Sequence, residues 1–369
     1  MKNDRSNPGS ISRRKIIKYA GSGLLAGAFG STLDKILASS ETSTEKHSVG
    51  AVHSGPTPVS LIIDDGSPVD PLFYEIPGYE TPYLVPHEFT RRVADTFDRF
   101  GLHGKFTLIP MPSCLGRIDQ SLKRVPQEHL AEFLKLIRER FATCFDITPE
   151  FLTHLNAYNL KTGKYMHIYE DIWISQASPD EIVEYFSLAF QILKNVGIEA
   201  NGITCPWVSG IDVEKKFAKA LGDSQWNMFN RKLTWYFLHA AEDTENPVPM
   251  SVEYKNEERG QIVVSVPSNA GDIFWSMDEP GHENRIKMIK DGIERLVSSD
   301  GKKGRIRQLI ETGYPVVIVT HWQSLYTQGT GLGLEGLATL AERINKIFGS
   351  DIEWVPCSEM ARRFAVSQG

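Results

Sequence analysis

Asp64-Asp65-Gly66 closes an aliphatic run, Leu61-Ile-Ile63. Paired carboxylates at such a place can take a proton from water or hold a cation. Buried without partners, the two charges would be costly. Neighbours on a strand point to opposite faces, but Gly66 lets the chain leave the pleat, so both acids reach one rim. The competing reading is a plain Asp-Gly turn or a helix cap. Two histidines occupy similar places, His154 after Glu150-Phe-Leu-Thr153 and His321 after Val316-Val-Ile-Val-Thr320. An imidazole there can ligate a metal or move a proton near neutral pH, or sit hydrogen-bonded in the core. Asp272 adds a further acid after Asn269-Ala-Gly271. Trp207 (behind Pro206), Trp275 and Trp322 lie beside these groups. Their flat faces suit sugar stacking, although packing explains such rings equally well. The glycine-rich segment 329–336 lacks the G-x-G-x-x-G spacing and the P-loop lysine, so it reads as a rim loop and not a phosphate cradle.

The elements that must hold these groups alternate. Segments 59–63, 105–109, one ending near Thr153-His154, 200–205, 226–229, 316–320 and 352–355 read as strands. Helical spacing marks 88–100, 127–141, 179–196, 213–221, 285–297, 305–312 and 334–348, with Ser178-Pro179 as a start signal. The stretch 233–266 predicts a few extra, inserted strands. This alternation implies parallel β-α-β units in an α/β fold, as a distorted barrel or, alternatively, a doubly wound open sheet. Both architectures build their sites at the carboxyl ends of strands. The two acids and two histidines fall at that rim.

Composition narrows the function classes. The chain carries 40 Lys+Arg against 46 Asp+Glu, a net charge of -6. Residues 1–40 hold seven basic and two acidic residues, leaving 33 basic and 44 acidic ones for the rest. An acidic body argues against nucleic acid as a partner. The basic head is organised as a leader: Ser12-Arg-Arg-Lys-Ile-Ile-Lys18, a short glycine-rich apolar run, then Leu37-Ala-Ser-Ser40. It resembles a twin-arginine export signal, which engages the twin-arginine machinery and sends a folded protein to the periplasm or beyond. Its apolar run is too short for a stable membrane span. Residues 41–58 read as a linker and 59–369 as one elaborated domain. The four cysteines have no C-x-x-C spacing, which excludes a zinc ribbon or thioredoxin-type site.

Taken together, these stretches resemble the polysaccharide deacetylase superfamily, carbohydrate esterase family 4 and its relatives. Leu61-Ile-Ile-Asp-Asp65 resembles the first motif, Glu150-Phe-Leu-Thr-His154 the approach to the second, and Ile203-Thr-Cys-Pro-Trp207 the third. Gly271-Asp-Ile-Phe-Trp275 resembles the fourth and Ile318-Val-Thr-His321 the last. The resemblance implies a distorted (β/α)7-type barrel and metal-assisted removal of an acetyl group from a polysaccharide or oligosaccharide. It makes Asp64 the catalytic base and His321 the general acid. Asp65 and His154 become ligands of a divalent metal (Zn, Co or Mn), and Pro206, Trp207, Asp272, Trp275 and Trp322 line the groove. Two departures stand out. Tyr158 occupies the place of the family's second metal histidine, and Thr204-Cys205 stand where the third motif has its arginine. Two ligands are too few for a tight zinc site, so Asn156, Asn159, His167 and Asp171 are candidates for the third. The alternatives are a metal-independent glycoside hydrolase pairing Asp64 or Asp65 with Asp272, and a non-catalytic glycan-binding protein on a degenerate barrel.

Overall fold

The computed structural model describes residues 55–70, 84–207, 209–240, 246–275, 277 and 284–368. The leader and nearly all of the linker lie outside the described residues, as does His282. Seven strands form the wall: β1 (Thr57–Asp64), β2 (Gly104–Thr107), β3 (Phe145–Thr148), β4 (Gly202–Thr204), β5 (Leu233–Phe237), β6 (Gln261–Ser265) and β7 (Val316–His321). Parallel ladders join β7, β1, β2 and β3 in that order, and β4, β5 and β6 in another. Single parallel bridges close both gaps, Glu150 with Thr204 and Gly271 with Ile318. The result is a distorted (β/α)7 barrel, not an open sheet.

Helices α1 (His87–Phe100), α2 (Gln127–Leu136), α3 (Glu170–Gln176), α4 (Pro179–Asn195), α5 (Glu214–Phe229), α6 (Arg285–Leu296), α7 (Arg305–Glu311), α8 (Trp322–Tyr326) and α9 (Leu332–Phe348) lie between or after the strands. The start of α4 is a reciprocal cap: Ser178 Oγ accepts from the Glu181 amide, and Glu181 accepts from the Ser178 amide. A last helix, α10 (Cys357–Ser367), closes the amino-terminal end of the barrel, where its Cys357, Met360 and Ala361 join Ile62, Trp235 and Val317 in the interior cluster. No helix among the described residues is long and apolar enough to cross a membrane.

Several elements differ from the sequence expectation. Segment 226–229 is the end of α5 and not a strand, since its Trp and Phe continue a helical face that the aromatic content disguises. Of the strands in 233–266, β5 and β6 belong to the barrel wall; only Ser251–Asn256, antiparallel to β6, is an insertion. That segment takes the place of a helix between them. The third strand stops at Thr148, and residues up to His154 form an irregular loop.

The two-residue period of the strands decides which groups face inward. On β1, Leu61 and Ile63 pack outward against the helices, while Ile62 lies in the interior cluster with Val317 and Val319 of β7. Asp64 and His321 share that inward parity and are register partners across the β1–β7 ladder. The hydrophobic pattern that builds the wall therefore also aims both groups at the mouth.

Candidate active site

Asp65 sits at the end of β1 with a left-handed backbone, φ 64°. This turn, rather than freedom at Gly66, brings it to the same mouth as Asp64. Gly66 is needed for another reason: a Cβ there would lie 1.9 Å from the Thr107 carbonyl oxygen of β2.

Asp65 Oδ1 lies 2.7 Å from His154 Nε2, and its Oδ2 accepts from the side-chain Nε2 of Gln323 in α8. Glu150 completes the group, with Oε2 accepting from the Asp65 amide at 3.0 Å and Oε1 4.0 Å from His154 Nε2. One donor atom each from Asp65, Glu150 and His154 falls within 4.8 Å of the others, and all three residues are buried. Burial pushes the Glu150 carboxyl up, and the nearby Asp65 and Asp64 charges add to this against the pull of His154 and Lys105, to about 8. Two carboxylates and an imidazole are a fitting donor set for a divalent transition metal with one position left open.

Glu150 is thus the third candidate ligand, in a place where the sequence offered Asn156, Asn159, His167 or Asp171. Asn159 Oδ1 accepts from the amides of Lys161 and Thr162. Asp171 bonds the Ile172 amide, and His167 is exposed. The Asn156 backbone carbonyl accepts from the Thr153 hydroxyl. Tyr158 packs against Tyr165, and its amide donates to the Tyr185 hydroxyl.

Asp64 meets a cation that sequence reasoning missed. Lys105 of β2 is fully buried, and its Nζ contacts both Asp64 Oδ1 and Thr204 Oγ1. The Phe237 ring centroid lies 5.1 Å from the same nitrogen. Lys105 is the register partner of Ile62, two residues below Asp64, a rise of about 6.6 Å that a lysine side chain spans. A charged residue opening the strand-like run Lys105–Ile109 was the available signal.

His321 Nδ1 lies 2.7 Å from Asp272 Oδ2, while Asp272 Oδ1 accepts from the Phe274 amide. Loss of water around His321 would lower its pKa, but the Asp272 hydrogen bond and the charges of Asp65, Asp272 and Asp64 outweigh this and raise it to about 9. Asp272 therefore backs His321. The ring of Trp275 stands 4.5 Å from that of His321, and Trp207 stands 4.9 Å from His154 and 5.8 Å from Tyr169. Both tryptophans are partly exposed, and Trp207 holds a left-handed φ of 51°, an uncommon state for a bulky residue. Pro206 is buried beneath it, its carbonyl accepting from Ser209.

Trp322 does not line the groove. It is 0% exposed, its ring packs among Phe89, Phe106, Phe133 and Phe141, and its Nε1 donates to the Ser67 carbonyl. It follows His321 in sequence, so strand parity turns it outward, under the helices. Trp322→Ala is expected to cost about 3–5 kcal/mol in urea denaturation, through the cavity it leaves.

The sequence matches no family model and no curated protein. Solved structures do match. A protein assigned as a polysaccharide deacetylase from Mycobacterium smegmatis aligns over 87% of this chain and 94% of its own, at 12% identity and a TM-score of 0.52. The chitin deacetylase of the fungal pathogen Colletotrichum lindemuthianum aligns over 83% and 88%, at 10% identity and a TM-score of 0.43. A glycoside hydrolase/deacetylase-type protein from Parabacteroides distasonis covers 85% and 72%, at 10% identity and 0.49. The first of these likenesses shows that the chain has a polysaccharide deacetylase-type fold.

Proposed function

We propose that this protein is an exported, metal-assisted hydrolase that removes acetyl groups from a carbohydrate. One observation carries the reading: at the mouth of the barrel, Asp65, Glu150 and His154 gather as a ligand set beside Asp64, with His321 on the neighbouring strand. The basic leader supports export by the twin-arginine route.

Asp65, Glu150 and His154 would hold a Zn, Co or Mn ion, which supplies polarisation of the acyl oxygen and a lower pKa for water. Asp64, ion-paired with Lys105, accepts the proton of the attacking water. His321, carrying its proton through the neutral range, donates it to the departing sugar nitrogen or oxygen. Trp207 and Trp275 offer partly exposed rings to the sugar on the two sides. The glycosidase alternative loses ground because both oxygens of Asp272 are engaged, by His321 and the Phe274 amide.

Acetate release from acetylated chito-oligosaccharide and acetylxylan, with Zn, Co or Mn supplied, is the test. Release that disappears in Asp64→Asn supports the reading. Shortened chains without acetate loss, or binding without release that Asp64→Asn leaves unchanged, would overturn it.

Metal uptake should also carry a proton signature. Below about pH 8 Glu150 holds a proton that the ion must displace. Calorimetry of Zn binding at pH 7 in buffers of differing ionisation enthalpy is expected to show proton release, which shrinks as the pH rises through about 8. Glu150→Gln should abolish that component and weaken binding by more than the roughly 10–100-fold typical of losing a supporting residue.

A further inference from the structure

Glu170, the first residue of α3, is fully buried and spends its whole carboxylate on the loop that carries His154. Its Oε1 accepts from the amides of Leu152 at 3.1 Å and Thr153 at 3.0 Å and from the Tyr185 hydroxyl at 2.6 Å. Its Oε2 accepts from the His154 amide at 2.9 Å. The loop needs such a hold. Between the end of β3 and His154 the carbonyls of Pro149, Leu152 and Thr153 accept from the amides of Thr204, Met111 and Ser113, but the amides of residues 152–154 turn to Glu170, and Phe151 and His154 both take left-handed backbones, φ 42° and 54°. Non-glycine residues keep such conformations only where surrounding contacts over-determine them. Three consecutive amides turned toward one carboxylate form an anion-binding nest, here filled by the protein itself.

We propose that Glu170 is a positioning residue for His154: it fixes the backbone between the left-handed Phe151 and His154 and so sets the imidazole at the distance from Asp65 and Glu150 that ion binding requires. This rests on the metal reading given above. Glu170 touches neither ion nor substrate in this scheme; it acts through the backbone of its ligand. Tyr185 has a different part. Its hydroxyl bridges Glu170 and the Tyr158 amide and so ties the loop to α4.

The two contacts can be separated. Glutamine at 170 retains one oxygen, which three donors claim, so its amide nitrogen must face the His154 N–H, donor against donor. Tyr185→Phe removes a donor but leaves both backbone contacts of Oε1 and the His154 contact in place. The experiment compares Glu170→Gln, Tyr185→Phe and the wild-type full chain by hydrogen exchange without metal and by Co(II) titration followed in the visible spectrum. Glu170→Gln is expected to speed exchange of the His154 amide, to weaken Co(II) binding about 10–100-fold and to alter the spectrum. Tyr185→Phe, at a comparable loss of Tm, is expected to leave the Co(II) affinity and spectrum as in the wild type. Unchanged exchange and Co(II) binding in Glu170→Gln would overturn the proposal. So would equal weakening by both variants, which would make the role of Glu170 one of general stability. A wild-type chain that takes up no Co(II) overturns the metal reading itself, and the exchange comparison then decides separately whether Glu170 holds the loop.

Discussion

Lys105→Met is expected to destabilise the fold by about 3–5 kcal/mol, because it leaves the Asp64 carboxylate buried without its cation. The lysine is 0% exposed and lies inside the barrel, against Asp64, Thr204 and the Phe237 ring. Methionine fills much the same volume, so the loss reports the charge and not a cavity. The matching prediction is that Lys105→Met/Asp64→Leu recovers most of this loss, since replacing a buried pair by apolar groups of similar shape is often neutral or better. Urea denaturation of the two single variants and the double variant closes the cycle. Additive losses would show that the pair does not act as a unit. Activity adds a second readout: the stable double variant should release no acetate, because it lacks the proposed base.

Asp272→Asn is expected to lower kcat for acetate release by up to about 10²–10⁴, the span for losing the general acid that it supports, and to shift the pH profile. His321 is raised to about 9 largely through Asp272, once the opposing loss of hydration is overcome. As the proposed general acid it would work while protonated, so the wild-type activity should fall as the pH rises through about 9. Without the Asp272 charge that limb moves down toward the ordinary imidazole range, about 6.5. A basic limb that stays put in Asp272→Asn would remove His321 from the role of acid. The same pair makes a stability statement. Its contribution is fully present below about pH 6.5, the unfolded value, and is lost as the pH rises through about 9. Asp272→Asn should therefore flatten the dependence of Tm on pH across that window.

The barrel was legible because its signals are local. Apolar runs of strand length, amphipathic helices and the Ser178-Pro179 start all survive in the structure. Misreadings arose where local signals are ambiguous. Trp226–Phe229 is apolar enough to pass for a strand, yet it finishes α5. The stretch 233–266 lacks an intervening helix, so two wall strands passed for insertions. Trp322 was placed in the groove by its neighbour in sequence, whereas parity sends it to the opposite side of the strand from His321.

The sequence by itself determined which groups end the strands: Asp64 and Asp65, His154 on the loop beyond β3, and His321. Hydrophobic alternation places them at one rim without reference to any distant contact. Only the tertiary structure decided which charges meet there. Lys105 reaches Asp64 because β2 lies beside β1 in one register. Gln323 reaches Asp65 across 258 residues because β7 closes the barrel against β1. Glu150 joins the ligand set because its bridge to Thr204 shuts the gap between β3 and β4. Each of these partners sits in the middle or at the wrong end of a local pattern. Burial of a charge is settled by long-range closure, and no spacing along the chain encodes it.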